Sequence, residues 1–229
     1  MYEPLKITFE LRTPVVLAHP WLHFDGILAH MALRDALGPG YFDLPSKAAI
    51  GWEKIVEKKS PLPLAKFCVE GDCIFKASVA LFETEGFQLT TIYKRFFEAK
   101  AHEIRKAKKV DVVRGPFRSW ALRLPYVPSK KAVFYAVGDE EEIGKLLRHL
   151  PGLGKKTAIG FGEIRSFTIE RSEDNSLVMD GIAMRPIPVK MLRSFSEAFL
   201  LACSPPYWLR ENVRLAAPPG ALVELRAHE

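Results

Sequence analysis

Four glycines crowd the stretch Leu150–Ile164, LPGLGKKTAIGFGEI, where Gly152, Gly154, Gly160 and Gly162 bracket Lys155, Lys156 and Thr157. Such a segment is a poor continuation of any helix or strand, because glycine gives up backbone entropy and packs no side chain in return. It reads as a tight loop between a capped helix and an alternating strand, and it constrains the topology on both sides. Glycines admit positive φ and let a ligand approach the backbone, while exposed amides beside two lysines suit a phosphate backbone. A surface turn with a solvated lysine pair fits the same residues. A nucleotide-binding P-loop does not: the GxxxxGK[ST] spacing is missing, and the preceding element is a helix.

Upstream, Leu5, Ile7, Phe9 and Leu11 alternate with Lys6, Thr8, Glu10 and Arg12, the pattern of a half-buried strand that Pro14 ends. Asp25 is placed to cap a helix with Ile27, Leu28, Met31 and Ala32 on one side, and Gly38-Pro39-Gly40 stops it. Residues 41–71 read as irregular. Cys73, Phe75, Ala77, Val79 and Leu81 alternate as a second strand, and Ala132–Val137 is a third. Asp139 and Glu142 form a capping box for a helix carrying Ile143, Leu146, Leu147 and Leu150. After the glycine loop, Phe161–Arg171 gives a strand with Ile164 and Phe167. From Asp180 onward, Pro186, Pro188, Pro205, Pro206, Pro218 and Pro219 exclude long regular elements, and Ala221–Arg226 reads as a last strand. Strand, helix, strand, then strand, helix, strand is the ferredoxin-like order.

The segment Thr90–Val110 interrupts that order. It holds Lys94, Arg95, Lys100, Arg105, Lys106, Lys108 and Lys109, opposed only by Glu98 and Glu103. The chain runs on through Arg114, Arg118 and Arg123. It reads as an inserted basic arm, at about 88–130, with a helical or disordered tip and a return strand. Lysines and arginines neutralise phosphates and release counterions. Interleaved Tyr93, Phe96, Phe97, Phe117 and Trp120 can stack on unpaired bases or pack the arm onto the core. A net charge of +6 and a pI near 9.2 favour polyanionic partners.

Other chemistries find little purchase. HExxH, paired CxxC, DxD and GxSxG patterns are all missing, so neither a metal nor a serine nucleophile is expected. His23, before the first helix, and His102, in the arm, are the histidines best placed for acid–base cleavage of RNA, yet neither has a neighbouring dyad partner. Cys68, Cys73 and Cys203 do not make a disulfide framework and read as inert thiols of a reducing cytosol. Trp52, Trp120 and Trp208, with Ser204–Arg210, fit a partner surface or a core equally. No apolar run approaches the ~20 residues of a membrane span, and the first residues read as a strand, not as a signal peptide.

The pattern G-h-G-x-x-x-x-x-G-h-G, here Gly152-Leu153-Gly154 and Gly160-Phe161-Gly162, resembles the glycine-rich loop of the RAMP superfamily, the RNA-binding subunits of CRISPR systems. ITFELRTPVVL followed by PWLHFDGILAHMAL is similar to the first strand and helix of the Cas-five-like subunit of type IV CRISPR complexes. The resemblance is anchored at Leu5–Leu33 and Leu150–Thr168. It implies an α+β, ferredoxin-like (RRM-like) RAMP fold, a single elaborated domain over 1–229, with the glycine loop near its C-terminal strand. It also implies a non-catalytic RNA-binding subunit of a cytoplasmic antiviral effector, without cofactor or metal. That subunit holds the repeat-derived 5′ handle of the guide RNA (crRNA) and caps the complex near the PAM-proximal end of target DNA. Its partners are the guide RNA, the backbone and large subunits, and target DNA near the PAM, with no membrane. The expected RNA-binding residues are Gly152, Gly154, Lys155, Lys156, Thr157 and Gly160 in the loop. In the arm they are Lys94, Arg95, Lys100, Arg105, Lys106, Lys108 and Lys109, with Arg114 and Arg118 at its base. A guide-RNA-processing endoribonuclease of the same superfamily, or an interaction module for an acidic protein, are the alternative readings.

Overall fold

The computed structural model describes residues 1–17, 20–43, 62–84, 86–96, 111–115 and 117–226, with the side chains of 42 and 43 excepted. The expected arm residues Lys100, Arg105, Lys106, Lys108 and Lys109, and His102, lie outside the described residues.

The fold is mixed α/β, mostly strand, with two α-helices among the described residues. In chain order the first half holds β1 (Tyr2–Leu11), β2 (Val15–Val16), α1 (Phe24–Leu37), β3 (Lys66–Val69), β4 (Asp72–Phe75) and β5 (Leu81–Phe82). Then come β6 (Gln88–Lys94), β7 (Trp120–Val127), β8 (Lys131–Asp139), α2 (Glu140–Leu147) and β9 (Ile164–Arg171). Strands β5, β8, β1 and β9 lie side by side in that order, every pair antiparallel. The alternation read in β1 decides its faces: Leu5, Ile7 and Phe9 are fully buried. They meet Ala132, Phe134 and Ala136 of β8, and both helices lie against them through Phe24, Ile27, Leu28, Ile143 and Leu147. Phe134 packs edge-on against Phe9 at 5.7 Å and tilted against Phe24 at 5.1 Å. Each such side chain contributes about 1.5–3 kcal/mol by leaving water.

The rest of the chain builds a second core. It comprises β10 (Val178–Met179), β11 (Ile182–Ala183), β12 (Ile187–Pro188), β13 (Leu192–Phe195), β14 (Phe199–Ala202), β15 (Val213–Ala217) and β16 (Val223–Leu225). The prolines keep these strands short, as expected. Ile187, Met191, Leu192, Ala216 and Ala217 bury together with Phe67 and Ile74 from the β3–β4 hairpin.

Four expectations need correction. First, α1 begins at Phe24 with His23 at its N-cap, and no side chain caps it. Asp25 sits inside the first turn because Arg185 and Tyr207 claim its carboxylate. Second, the run from Cys73 to Leu81 is not one strand. It splits into β4, isolated bridges at Ala77 and Val79, and the two-residue β5. The chain changes partner at the break: the Lys76 amide donates to the Ala65 carbonyl beside β3, the Lys76 carbonyl accepts from Val137 of β8, and the Arg185 guanidinium takes the outward carbonyls of Phe75 and Ala77. Third, Cys68 and Cys73 form a disulfide. The β3–β4 turn is only Glu70-Gly71, both at positive φ, which sets Cys68 directly opposite Cys73 with Cα atoms 4.1 Å apart. Cys203 is free and buried. Fourth, residues 41–71 are not irregular throughout, because Lys66–Val69 forms β3 and pairs with β4.

The capping box is half formed. Asp139 accepts from the Glu142 amide at 3.2 Å, while the Glu142 carboxylate turns to Lys145 at 2.7 Å.

Candidate nucleic-acid interface

The glycine loop is held by its own backbone. The Leu153 amide donates to the Gly162 carbonyl, the Gly162 amide to Pro14 and the Lys155 amide to Val16, each at 2.8 Å. The amides of Ile159, Gly160 and Phe161 donate back to Lys156 and Thr157. These amides are therefore engaged within the protein, which narrows the expected display of loop amides to a ligand. The glycines serve close packing instead. A Cβ on Gly162 would stand 1.9 Å from the Leu153 carbonyl oxygen, and one on Gly154 2.4 Å from that of Val16. Gly160 differs: nothing lies within 4 Å of its absent Cβ, and its φ of +94° alone calls for glycine. Gly152 is buried and Thr157 half-buried, while the Lys155 and Lys156 side chains are exposed. Lys156 itself holds φ 65°, ψ 26°, in the left-handed region.

The base of the arm is a β-hairpin. Strand β6 pairs with β7 from Gln88↔Tyr126 to Lys94↔Trp120, and β7 also pairs with β2 through Val15↔Val127 and Val16↔Tyr126. Directly opposed residues share a face of an antiparallel pair. Lys94 with Trp120 and Ile92 with Leu122 therefore lie on one face, and Tyr93 and Arg123 on the other. Tyr93 is 63% exposed, with the Arg95 guanidinium 5.6 Å from its ring centroid. Phe96 and Phe117 meet edge to face at 5.3 Å and close the hairpin's outer end. Beyond them the Asp111 carboxylate accepts the amides of Val113 and Arg114 at 2.8 and 3.1 Å. Arg114 and Arg118 are exposed.

Arm and loop meet. Arg118, Trp120, Ala121, Leu122 and Lys156 line one shallow concavity. Strand β2 explains the juxtaposition, since Val16 bridges to Lys155 on one side and pairs with Tyr126 on the other. Of the expected site residues, Lys156 and Arg118 are thus brought together and Lys155 is adjacent. Tyr93 and Arg123 face away, and Arg95 packs over Tyr93. Among the described residues, no carboxylate forms an ion pair with Arg118, Lys155 or Lys156.

His23 has a different setting. Its ring stacks on Tyr207 at 3.7 Å and 14°. The Tyr207 hydroxyl donates to Asp25 Oδ1 at 2.7 Å, and Arg185 Nη2 donates to Asp25 Oδ2 at 3.1 Å and to the Cys203 carbonyl at 2.5 Å. Burial first, and then the Asp25 charge, pushes the Tyr207 phenol well above its ordinary pKa. The phenol thus stays protonated as a hydrogen-bond donor and is a poor acid or base near neutrality. Sequence reasoning missed this network. Its one local signal is a lone arginine, Arg185, within the apolar run Ile182–Ile187. Among the described residues, no cluster of His, Cys, Asp and Glu is arranged to hold a metal ion, and no helix is long and apolar enough to cross a membrane.

A family model described as CRISPR type IV associated protein Csf3 matches residues 3–219. No curated protein matches. Among solved structures, the chain is similar to one in the "Cryo-EM structure of the Type III-B Cmr-beta bound to cognate target RNA". Identity there is 11% and the TM-score 0.37, and the alignment covers 74% of this chain but only 61% of the other, less than two thirds of its length.

Proposed function

This chain belongs to the Csf3 family of type IV CRISPR-associated proteins, and from that premise we propose that it is the non-catalytic RNA-binding subunit of the effector ribonucleoprotein. In this reading it is Cas-five-like: it holds the repeat-derived 5′ handle of the guide RNA. It caps the cytoplasmic complex beside a large subunit and the first backbone subunit, near the PAM-proximal end of target DNA. The ferredoxin-like RAMP assignment is part of the proposal. It is supported by a four-stranded antiparallel sheet in the order β5-β8-β1-β9, with α1 after its first strand and α2 after its third.

The single observation that carries the reading is the concavity shared by Arg118 and Trp120 of the arm and Lys156 of the glycine loop. Two cations without an anionic partner among the described residues, beside an exposed indole, match a single strand's alternation of phosphate and base. Sequence readout of the target would fall to base pairing, leaving the protein to grip backbone and shape. The non-catalytic part of the proposal is supported by the stacking of His23 on a tyrosine whose hydroxyl is already committed to Asp25.

The test is to purify the native complex through this subunit and sequence the RNA that comes with it. A short RNA with a repeat-derived 5′ end, cross-linked to the arm or glycine loop, is the expected result. A complex that forms without nucleic acid and survives high salt would overturn it in favour of an acidic protein partner.

A further inference from the structure

We propose that the concavity between Trp120 and Lys156 is a seat for one unpaired nucleobase, stacked on the Trp120 indole, with Arg118 and Lys156 on the phosphates at either side. This inference rests on the RNA-binding reading above and goes further, by naming the moiety held and the residue that holds it.

Trp120 opens β7 and remains 38% exposed beside Leu122, which is exposed to the same extent. Ala121 between them pairs with Tyr93 and turns its methyl to the opposite face, so only its backbone lies between the two side chains. An indole in such a position offers a flat apolar face with a π-system, and every base has a matching one. Arg118 and Lys156 both line the concavity, and neither forms an ion pair among the described residues. A purely apolar occupant would leave those charges unanswered, whereas one nucleotide step supplies a ring and its flanking phosphates together.

Lys156 adds an independent argument. Its backbone sits at φ 65°, a conformation natural for glycine and strained for lysine. The same loop uses glycine at 154, 160 and 162 for positive φ. A lysine at such a position, with its side chain exposed, points to a use for its ammonium group. The seat is also pre-built. Its two walls, β7 and the loop, both bond to β2, so no ordering of the base of the site is needed when RNA arrives.

The experiment uses the full chain and a single-stranded twelve-nucleotide oligouridylate, with a second version carrying 5-iodouridine for photo-cross-linking. The expected adduct lies on the peptide containing Trp120. Trp120→Ala should weaken binding roughly 5- to 150-fold, the range for losing one base–aromatic stack. Trp120→Phe should recover most of the affinity. Lys156→Gly relaxes the backbone, so its melting temperature should hold or rise while RNA affinity falls and the log-affinity versus log-salt slope flattens by roughly 0.7. RNA bound tightly by both Trp120→Ala and Lys156→Gly, with the adduct elsewhere, would overturn the seat and leave the RNA-binding reading standing. A wild-type chain that ignores the oligonucleotide at low salt would overturn both. Should Trp120→Ala fail to fold, Lys156→Gly and the adduct's position decide.

Discussion

Asp25 and Arg185, 160 residues apart, meet as an ion pair of 3.1 Å with side chains 1% and 0% exposed. The pair joins the first turn of α1 to the second core. The same guanidinium also reaches the carbonyls of Phe75, Ala77 and Cys203 and the Tyr207 hydroxyl. This link between the two packed halves is polar, long-range and fully desolvated.

Removing either partner of that pair strands a buried charge. Arg185→Met and Asp25→Leu should each destabilise the chain by about 3–5 kcal/mol, and the double substitution should cost less than their sum, since the second change removes a charge already left unpaired while the carbonyls that Arg185 served stay unmet. Urea titration of the four proteins closes the cycle. Additive losses would show that the two side chains are not coupled.

Glycine substitutions in the loop should separate steric from conformational demand. Gly162→Ala drives a Cβ into the Leu153 carbonyl and should unfold the loop. Gly160→Ala meets nothing and should cost only about 1–2 kcal/mol of backbone strain. Thermal melts of the two variants should differ clearly in that order, and equal melting temperatures would remove the packing role given to Gly162.

Lys155→Ala with Lys156→Ala should leave the fold intact and flatten the salt dependence of single-stranded RNA binding by roughly 1.4, at ~0.7 per phosphate. An unchanged slope would take these lysines out of the interface.

Thiol labelling should follow the cysteine pattern. Untreated protein should give no alkylation at Cys68 or Cys73, and two labels there after mild reduction. Cys203 should label slowly near pH 8, because burial pushes its thiol up to about 11 and keeps it protonated. Its rate should climb as pH approaches that value. Rapid labelling of Cys203 at neutral pH would mean the second core is open.

His23→Ala should leave guide-RNA processing unchanged in the whole system while losing the stack on Tyr207, worth about 0.5–1.5 kcal/mol. Cleavage of repeat RNA by the wild-type chain, abolished in this variant and by a 2′-deoxy substitution at the cut site, would establish the endoribonuclease alternative.

The elements of the first core were legible wherever a period ran long enough to show. Leu5 to Leu11 gave β1, Ile27 to Ala32 gave α1, and Ala132 to Val137 gave β8. Two-residue strands such as β2 and β5 carry no period at all, so the joint between arm and loop was invisible. The second core hid behind its prolines for the same reason. Asp25 misled because an acidic residue before an apolar helix face is a sound capping signal. Only the distant Arg185 and Tyr207 turn it inward. At the candidate interface, charge located the arm and the glycine spacing located the loop. The pairing of Trp120 with Lys156 depends on long-range register that no local pattern encodes.

Strand β2 is two residues long, yet Val16 is tied on one side to Tyr126 of the arm and on the other to Lys155 of the loop. Arm and loop are thus clamped to a common rib. In the proposed RNA-binding role, a nucleic-acid strand that let go of one element would still be held by the other, so release would require both contacts to be open at once. Under the proposed RNA-binding role, persistence of the bound state, more than speed of capture, is what this small rib would provide.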